Sequence, residues 1–426
     1  MSETERERSR PAPPSFSRAD TEHAHLPGPL AGITVVEVGT MITAPLAAMM
    51  LGDQGADVIK IEPPGFGDVM RYLGETVSGT SALWLTCNRS KRGVAVNLGD
   101  PAGQAVARRL CARADVIIQN FRPGVVERLG IDEPVIRADN PGVIYVSISG
   151  FGFSGPMANR PAYDNIIQAA VGVAAAQTDP ATGDPNLFRN LVCDKITAYT
   201  VAQAVSAALF ARERNHRLTG EVVGQHIHVA MIDATLAFLW TDAMMGLTFL
   251  DRDRVSPGPV IGQAYSLART TDGFVTMSIL TDGQFRGMAK AVGHLEWTAD
   301  ERLATAGLRM ANVGLWQPGL GDFVSTNTTE TVVSAMVAND VPCSSVTALA
   351  DVADHPQVVA NGTLVEHQRG DYGRMREPRP PVHFSTTPSR IGAVPPGLGA
   401  HTDDVLTELG YTAEERIALR NSGAVG

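Results

Sequence analysis

From residue 30 onwards, apolar residues fall into short runs separated by stretches in which they recur every three or four positions, the signature of strands alternating with helices. The runs 33–38 and 56–61 flank a helical stretch at 44–51 and predict a parallel βαβ unit. The alternation continues through a helix at 102–113, a strand at 115–119, short helices around Val125 and Val135, and a strand at 143–148. Together these predict a doubly wound parallel sheet.

The stretch 190–214 is of another kind. Ala198, Ala202, Ala204, Ser206, Ala207, Ala208 and Ala211 keep it slim, and the apolar residues between Ile196 and Phe210 cover most of its circumference, predicting a buried helix. At its start stands Asp194, preceded by apolar Leu191 and Val192. The helix dipole and the free N–H groups favour an anion there. An N-capping aspartate is one reading. The other is a nucleophile: a carboxylate partly stripped of water, yet kept ionised by nearby N–H groups, attacks activated acyl groups.

Beyond it the pattern gives a strand at 225–229 and a second apolar helix at 232–247, in which Trp240, Met244 and Met245 read as core. A charged and then Pro/Gly-rich linker follows at 252–262. A hairpin at 265–280 turns at Thr271-Asp-Gly273, and helices at 284–292 and 329–337 complete a smaller α+β unit. A return strand is expected at 342–346, an extended Pro-rich stretch at 374–396, and a last helix after Thr412.

Composition narrows the class. With 426 residues, 44% of them hydrophobic and 19% charged, the chain is a multi-domain globular protein with ample core. A formal net charge of -10 argues against nonspecific nucleic-acid binding. The four cysteines lack metal-ligand or Cys-x-x-Cys spacing and read as reduced thiols of a cytoplasmic protein. Cys193, beside Asp194, is a rival nucleophile with no base near it in sequence. Residues 1–27 are polar, lack an apolar signal core and read as a loose tail. No run reaches the length of a membrane span, so a membrane partner is not expected.

The first strand runs into Glu37-Val-Gly-Thr-Met-Ile-Thr-Ala-Pro45 and lacks the glycine phosphate turn of dinucleotide folds, although Glu62 stands at the spacing of a ribose ligand. A nicotinamide oxidoreductase is therefore disfavoured.

Several blocks carry a resemblance. Leu30-Ala-Gly-Ile-Thr-Val-Val-Glu-Val, Gly55-Ala-Asp-Val-Ile-Lys-Ile-Glu-Pro-Pro-Gly-Phe-Gly-Asp68, Asn88-Arg-Ser-Lys-Arg-Gly93, Ala114-Asp-Val-Ile-Ile-Gln-Asn-Phe-Arg-Pro-Gly124, Ser149-Gly-Phe-Gly-Phe-Ser-Gly-Pro156 and Gly399-Ala-His-Thr-Asp-Asp-Val-Leu-Thr-Glu-Leu-Gly-Tyr411 occur in the order of the class III CoA-transferase family, which it resembles from about Leu30 to the C-terminus. That family includes formyl-CoA transferase, carnitine CoA-transferase and 2-methylacyl-CoA racemase.

The resemblance implies a Rossmann-like parallel-sheet domain formed by both ends of the chain, a smaller α+β domain, and an interlocked homodimer. The expected division is a tail at 1–27, large domain at 28–225, linker helix and small domain at 226–335, and return to the large domain at 336–426. It implies that Asp194 attacks an acyl-CoA thioester, passing through an aspartyl anhydride and an aspartyl-CoA thioester before CoA reaches a second acid. Coenzyme A and acyl-CoA are then substrates, with no permanently bound cofactor or metal, and glycine-rich loops of the small domain would supply oxyanion donors.

Residue matching implies a CoA site at Thr43, Val96, Asn97, Asn120, Phe121 and Arg128, with Phe121 over the adenine and Arg128 on a phosphate; Lys91, Arg92 and Arg71 are further phosphate candidates. Tyr163 and Asp164 match the Tyr-acid pair of the transferases, where the racemase branch has His-Asp. Tyrosine, with a pKa of about 10, is a poor base at neutral pH. Ile42 replaces the glutamine of formyl-CoA transferase, and Ser256-Pro-Gly-Pro-Val-Ile-Gly-Gln263 only approximates its glycine run, which disfavours oxalate. A racemase and a non-catalytic CoA-binding protein are the alternatives.

Overall fold

The computed structural model describes residues 28–256, 258, 262 and 265–426. The tail at 1–27 and much of the expected linker, including most of 257–264, lie outside the described residues. Contacts divide the described residues into one unit made of residues 28–239 together with Asn361–Gly426, and a second within Trp240–Ala360.

The first unit follows the sequence alternation: β1 (Thr34–Val38), α1 (Thr43–Asp53), β2 (Asp57–Glu62), α2 (Ala82–Asn88), β3 (Lys91–Ala95), α3 (Pro101–Cys111), β4 (Val116–Gln119), β5 (Ile144–Ser149), α4 (Asp164–Ala170), α5 (Val192–Thr219), β6 (Gln225–Ala230) and α6 (Met231–Trp240). The six strands form one sheet in the order β3-β2-β1-β4-β5-β6, every pair parallel, with Val35 in register with both Val58 and Val116. This is the doubly wound order. Its direction of winding reverses between β1 and β4, and a crevice opens there beyond the carboxyl ends of the strands.

Both faces of the sheet are buried, so its strands are apolar at consecutive positions. Val36, Val38, Ile59, Ile61 and Ile117 pack with α3 on one side, while Val35, Val58, Val116, Ile118 and Val146 meet α1 and α5 on the other. Strand β3 is not predicted from the pattern, because its first residues are Lys91, Arg92 and Gly93. They enter the sheet through side-chain pairing, described below.

The second unit holds a three-stranded antiparallel sheet: β7 (Ala268–Arg269), β8 (Phe274–Met277) and, after α7 (Asp282–Ala291), α8 (Gln317–Thr326) and α9 (Thr329–Val337), the strand β9 (Cys343–Ser345). A Thr281/Gln284 capping box starts α7, and Val275, Phe285, Met288, Val332 and Met336 form its core. The hairpin at 265–280 is present. This unit, in which β9 pairs with β8, runs from Trp240 to Ala360, whereas the expected division places the linker helix and small domain at 226–335.

From Asn361 the chain rejoins the first unit through the hairpin β10 (Leu364–Gln368) and β11 (Arg374–Pro378), then α10 (Thr402–Glu408) and α11 (Ala413–Asn421). The C-terminus closes against the end of β3, with Val425 bridged to Val96 and the Gly426 N–H donating to Ala95 O. Among the described residues no helix is long and apolar enough to cross a membrane.

Two expectations change. Helix α6 ends at Trp240, short of the predicted Leu247, and Trp240 is exposed, with its indole N–H on Thr248 Oγ1. Helix α5 is not buried all round: Cys193, Thr197, Val201, Val205 and Ala208 line its core stripe, while Tyr199 and Phe210 are 57% and 63% exposed in the single chain.

Candidate active site

Asp194 stands in the first turn of α5 and does not cap it, since the residue at the N-cap is Leu191, which offers no side-chain acceptor. Its carboxylate is thus free to face a cavity of about 220 Å³ at the carboxyl end of the sheet. Its own backbone N–H is held instead by Asp164, whose Oδ2 accepts it at 3.0 Å. Asp164 is 3% exposed and opens α4.

One turn further along α4, Gln168 donates to Asp164 Oδ1 and to the carbonyls of Phe188 and Asn190, and its carbonyl accepts from the Phe188 N–H. The approach to α5 is therefore pinned to α4 just ahead of Asp194 and at Asp194 itself. Burial, followed by the negative charge of Asp164 and opposed by Lys195, pushes the Asp194 carboxyl up to about 7. Cys193 points into the core with 0% exposure, and burial lifts its thiol to about 11. At neutral pH it carries almost no thiolate, whereas the Asp194 carboxyl is partly ionised.

Two walls form the cavity. The first is the pair of loops at the switch point, contributing Thr40, Met41, Thr43, Asn120, Phe121 and Arg122. The second lies beyond β5 and contributes Gly150, Arg160, Ala162 and Tyr163.

The first wall is built almost entirely on side-chain bonds to backbone. Lys60 Nζ donates to Gly39 O at 2.8 Å, Asn120 accepts from the Thr40 N–H and donates to Thr40 O and Thr43 Oγ1, and the Met41 N–H donates to Asp68 at 3.4 Å. Met41 is held with φ at 64°, an uncommon state for a side-chain-bearing residue. A Cβ on Gly39 would lie 2.5 Å from the Ala44 Cβ, so the turn into α1 requires glycine.

Beneath this loop is a buried ionic network. Glu37 bonds Lys60 at 2.6 Å and Lys91 at 2.7 Å; Lys60 also meets Asp68, and Lys91 donates to Pro45 O and Asn88 Oδ1. Burial, partly offset by Glu37, brings Lys91 down to about 8. Glu62 is clasped by Arg71 through two bonds of 2.7–2.8 Å, and Arg71 also lies over the Trp84 ring. Glu62 is therefore not a ribose ligand. Lys91 and Arg71 are buried and neutralised internally, and Arg92 is paired with Asp57 and Glu408, so none of the three is the phosphate partner expected from the sequence.

Thr43, Asn120, Phe121, Tyr163 and Asp194 thus meet at one cavity. Asp164 supports it from behind. Val96 and Asn97 do not line it: Val96 is buried, and Asn97 bonds the C-terminal segment through Ala424 O and Gly423 O. Arg128, at the end of a short helix, is exposed and outside the cavity lining, with no ion pair among the described residues. Arg122 and Arg160, both missed by the sequence reading, are exposed arginines lining the cavity, and neither side chain has a partner among the described residues. Arg122 is visible in sequence only as the residue after Phe121.

A carboxylate with a raised pKa, at the mouth of a doubly wound sheet without a dinucleotide turn, marks a candidate functional site. Residues 30–402 match the family described as CoA-transferase family III. The chain is 34% identical to the succinate–glutarate CoA-transferase of Agrobacterium fabrum over 89% of this chain and 96% of that one. It is 31% identical to the succinyl-CoA–L-malate CoA-transferase beta subunit of Chloroflexus aurantiacus, over 91% and 96%. Among solved structures, that of a CAIB/BAIF family protein from Brucella suis superposes with a TM-score of 0.75 at 31% identity, covering 90% of this chain and 100% of that one. The chain belongs to CoA-transferase family III. It is an enzyme that moves CoA between an acyl-CoA and a carboxylic acid.

Proposed function

We propose that Asp194 carries the transfer as a covalent nucleophile. A carboxylate oxygen of Asp194 attacks the thioester carbonyl, the C–S bond breaks, and CoA leaves as thiolate from a mixed anhydride. The thiolate then attacks the aspartyl carbonyl and releases the donor acid, leaving an aspartyl-CoA thioester. An acceptor carboxylate attacks that thioester to give a second anhydride and free thiolate. Attack of the thiolate on the acceptor's carbonyl completes the new thioester and regenerates Asp194. Each step exchanges groups of comparable activation, so the thioester's free energy is retained.

The observation that carries this reading is Asp194 itself, on the cavity wall with its N–H fixed by Asp164 and its carboxyl raised to about 7. Desolvation supplies nucleophilicity, and the pKa leaves a substantial ionised fraction at neutral pH. Thr43, Asn120, Phe121 and Arg122 form the side on which CoA lies, and Tyr163 borders the acyl group. The two named relatives act on succinate, glutarate and malate, and we extend this to short dicarboxylic acids as the substrate class here.

The working protein is a cytoplasmic homodimer in which a second copy covers the exposed side of α5, including Tyr199 and Phe210, large apolar groups that are costly to leave in water.

Racemisation is disfavoured. It needs an acid and a base flanking the carbon next to the thioester, and no histidine lines the cavity among the described residues. A 2-methylacyl-CoA in deuterated water should therefore gain negligible deuterium at that carbon, whereas adding succinate should yield succinyl-CoA. Rapid deuterium incorporation without an acceptor would make the protein a racemase.

A further inference from the structure

The backbone carrying Arg160 is held at two points. Ala162 packs so closely on the end of β5 that a Cβ added to Gly150 would lie 2.2 Å from its methyl group, so only glycine admits the segment there. The Arg160 N–H is bonded to Met157 O at 2.9 Å. Two residues after Ala162 comes Asp164, which holds the N–H of Asp194. Arg160 thus rises from a clamped strip of chain into the nucleophile's cavity, four residues from the group that orients the nucleophile, and finds no carboxylate or carbonyl partner among the described residues.

A guanidinium offers a planar fork of donors that fits a carboxylate. The only acidic residue among those lining this cavity is Asp194. Arg122, the other arginine lining this cavity, follows the Asn120-Phe121 turn at the switch point, where a nucleotide lies in folds of this order. The walls therefore offer one cation to each end of an acyl-CoA. The cavity volume of about 220 Å³ is below the 300–1,000 Å³ usual for a whole ligand, and suits the short acyl end.

We propose that Arg160 binds the distal carboxylate of a short dicarboxylic acyl group and thereby selects dicarboxylic over monocarboxylic acids. The proposal rests on the transfer reading for its substrate class, and is tested by binding so that the two fail separately. Succinyl-CoA and butyryl-CoA have acyl chains of equal length, ending in a carboxylate and a methyl group.

Calorimetric titration of the non-turning-over Asp194→Ala protein with these two thioesters and with free CoA is repeated in the added presence of Arg160→Met. Succinyl-CoA should bind more tightly than butyryl-CoA, and Arg160→Met should weaken succinyl-CoA by at least about tenfold, the ordinary worth of a charge-assisted hydrogen bond, while moving the other two by less than about twofold. Arg160→Lys should fall between, keeping the charge without the fork. Arg122→Met should weaken all three alike. Equal loss for all three ligands with Arg160→Met would make Arg160 a phosphate contact, and no loss for any would make it a solvated surface arginine; either overturns the proposal. Selectivity lost with Arg122→Met instead would also overturn it. Selective binding by a protein that transfers no CoA would leave the proposal standing and remove only the transfer mechanism.

Discussion

Asp194 is set by burial and by one neighbour, Asp164, which acts on it twice. Its position comes from the Asp164 carboxylate accepting its N–H, and its raised pKa comes first from burial and then from that same negative charge. In the proposed mechanism the ionised form is the nucleophile, so kcat/KM should fall about tenfold per pH unit below about 7 and level off above it. In Asp164→Asn the charge is gone but burial remains, so the acid limb should move to lower pH. The same change should cost about 1–3 kcal/mol of stability, because an amide facing both the Gln168 Nε2 and the Asp194 N–H leaves one donor without an acceptor. A pH–rate profile and a urea titration read both effects, and an unmoved acid limb would separate Asp164 from the nucleophile's ionisation. The sequence shows Asp194 at the start of a small-residue helix but not what holds it. The partner lies thirty residues upstream, and nothing local distinguishes Asp164 from a helix cap.

At the scale of elements, the parallel strands and most helices were legible because apolar runs of five or six residues and three-to-four periodicity are strong signals. Strand β3 was not, since Lys91 and Arg92 break the apolar run and read as phosphate candidates until Glu37, on β1, and Asp57, on β2, are seen to neutralise them. Nor was the one-sidedness of α5, because alanines satisfy a buried and a half-buried helix equally well.

The β1–α1 loop illustrates how such hidden pairs set the site. Asn120→Ala removes the bonds to Thr40 and Thr43 and frees the loop, and should weaken CoA binding by about tenfold at a stability cost near 1 kcal/mol. Lys91→Met should do the reverse. Removing one partner of the buried ionic network costs about 3–5 kcal/mol, while the affinity of the remaining folded protein for CoA stays close to that of the wild type. Denaturation midpoints and calorimetry distinguish the two. A large loss of CoA affinity with unchanged stability in Lys91→Met would restore it as a phosphate ligand.

Across the whole molecule, the first unit is assembled from the segments that precede and follow residues 240–360 in sequence, and its C-terminal Val425 and Gly426 lock onto β3. That return was legible only through the family resemblance, because extended Pro-rich segments and short terminal helices carry no periodicity that says where they dock. Apolar side chains left exposed on α5 support the proposed dimer, for which sedimentation should give twice the chain mass down to nanomolar concentration. A folded, active monomer at micromolar concentration would contradict it.

The central claim is that acyl and CoA groups pass through Asp194. Incubation with succinyl-CoA in the absence of added acceptor, followed by acid quench, proteolysis and mass spectrometry, tests it most directly. The account predicts that the peptide containing Asp194 carries CoA as a thioester, that hydroxylamine converts this residue to a hydroxamate, and that Asp194→Ala shows neither adduct nor turnover. Full transfer with Asp194 unmodified under hydroxylamine, or an adduct on Cys193, would contradict it.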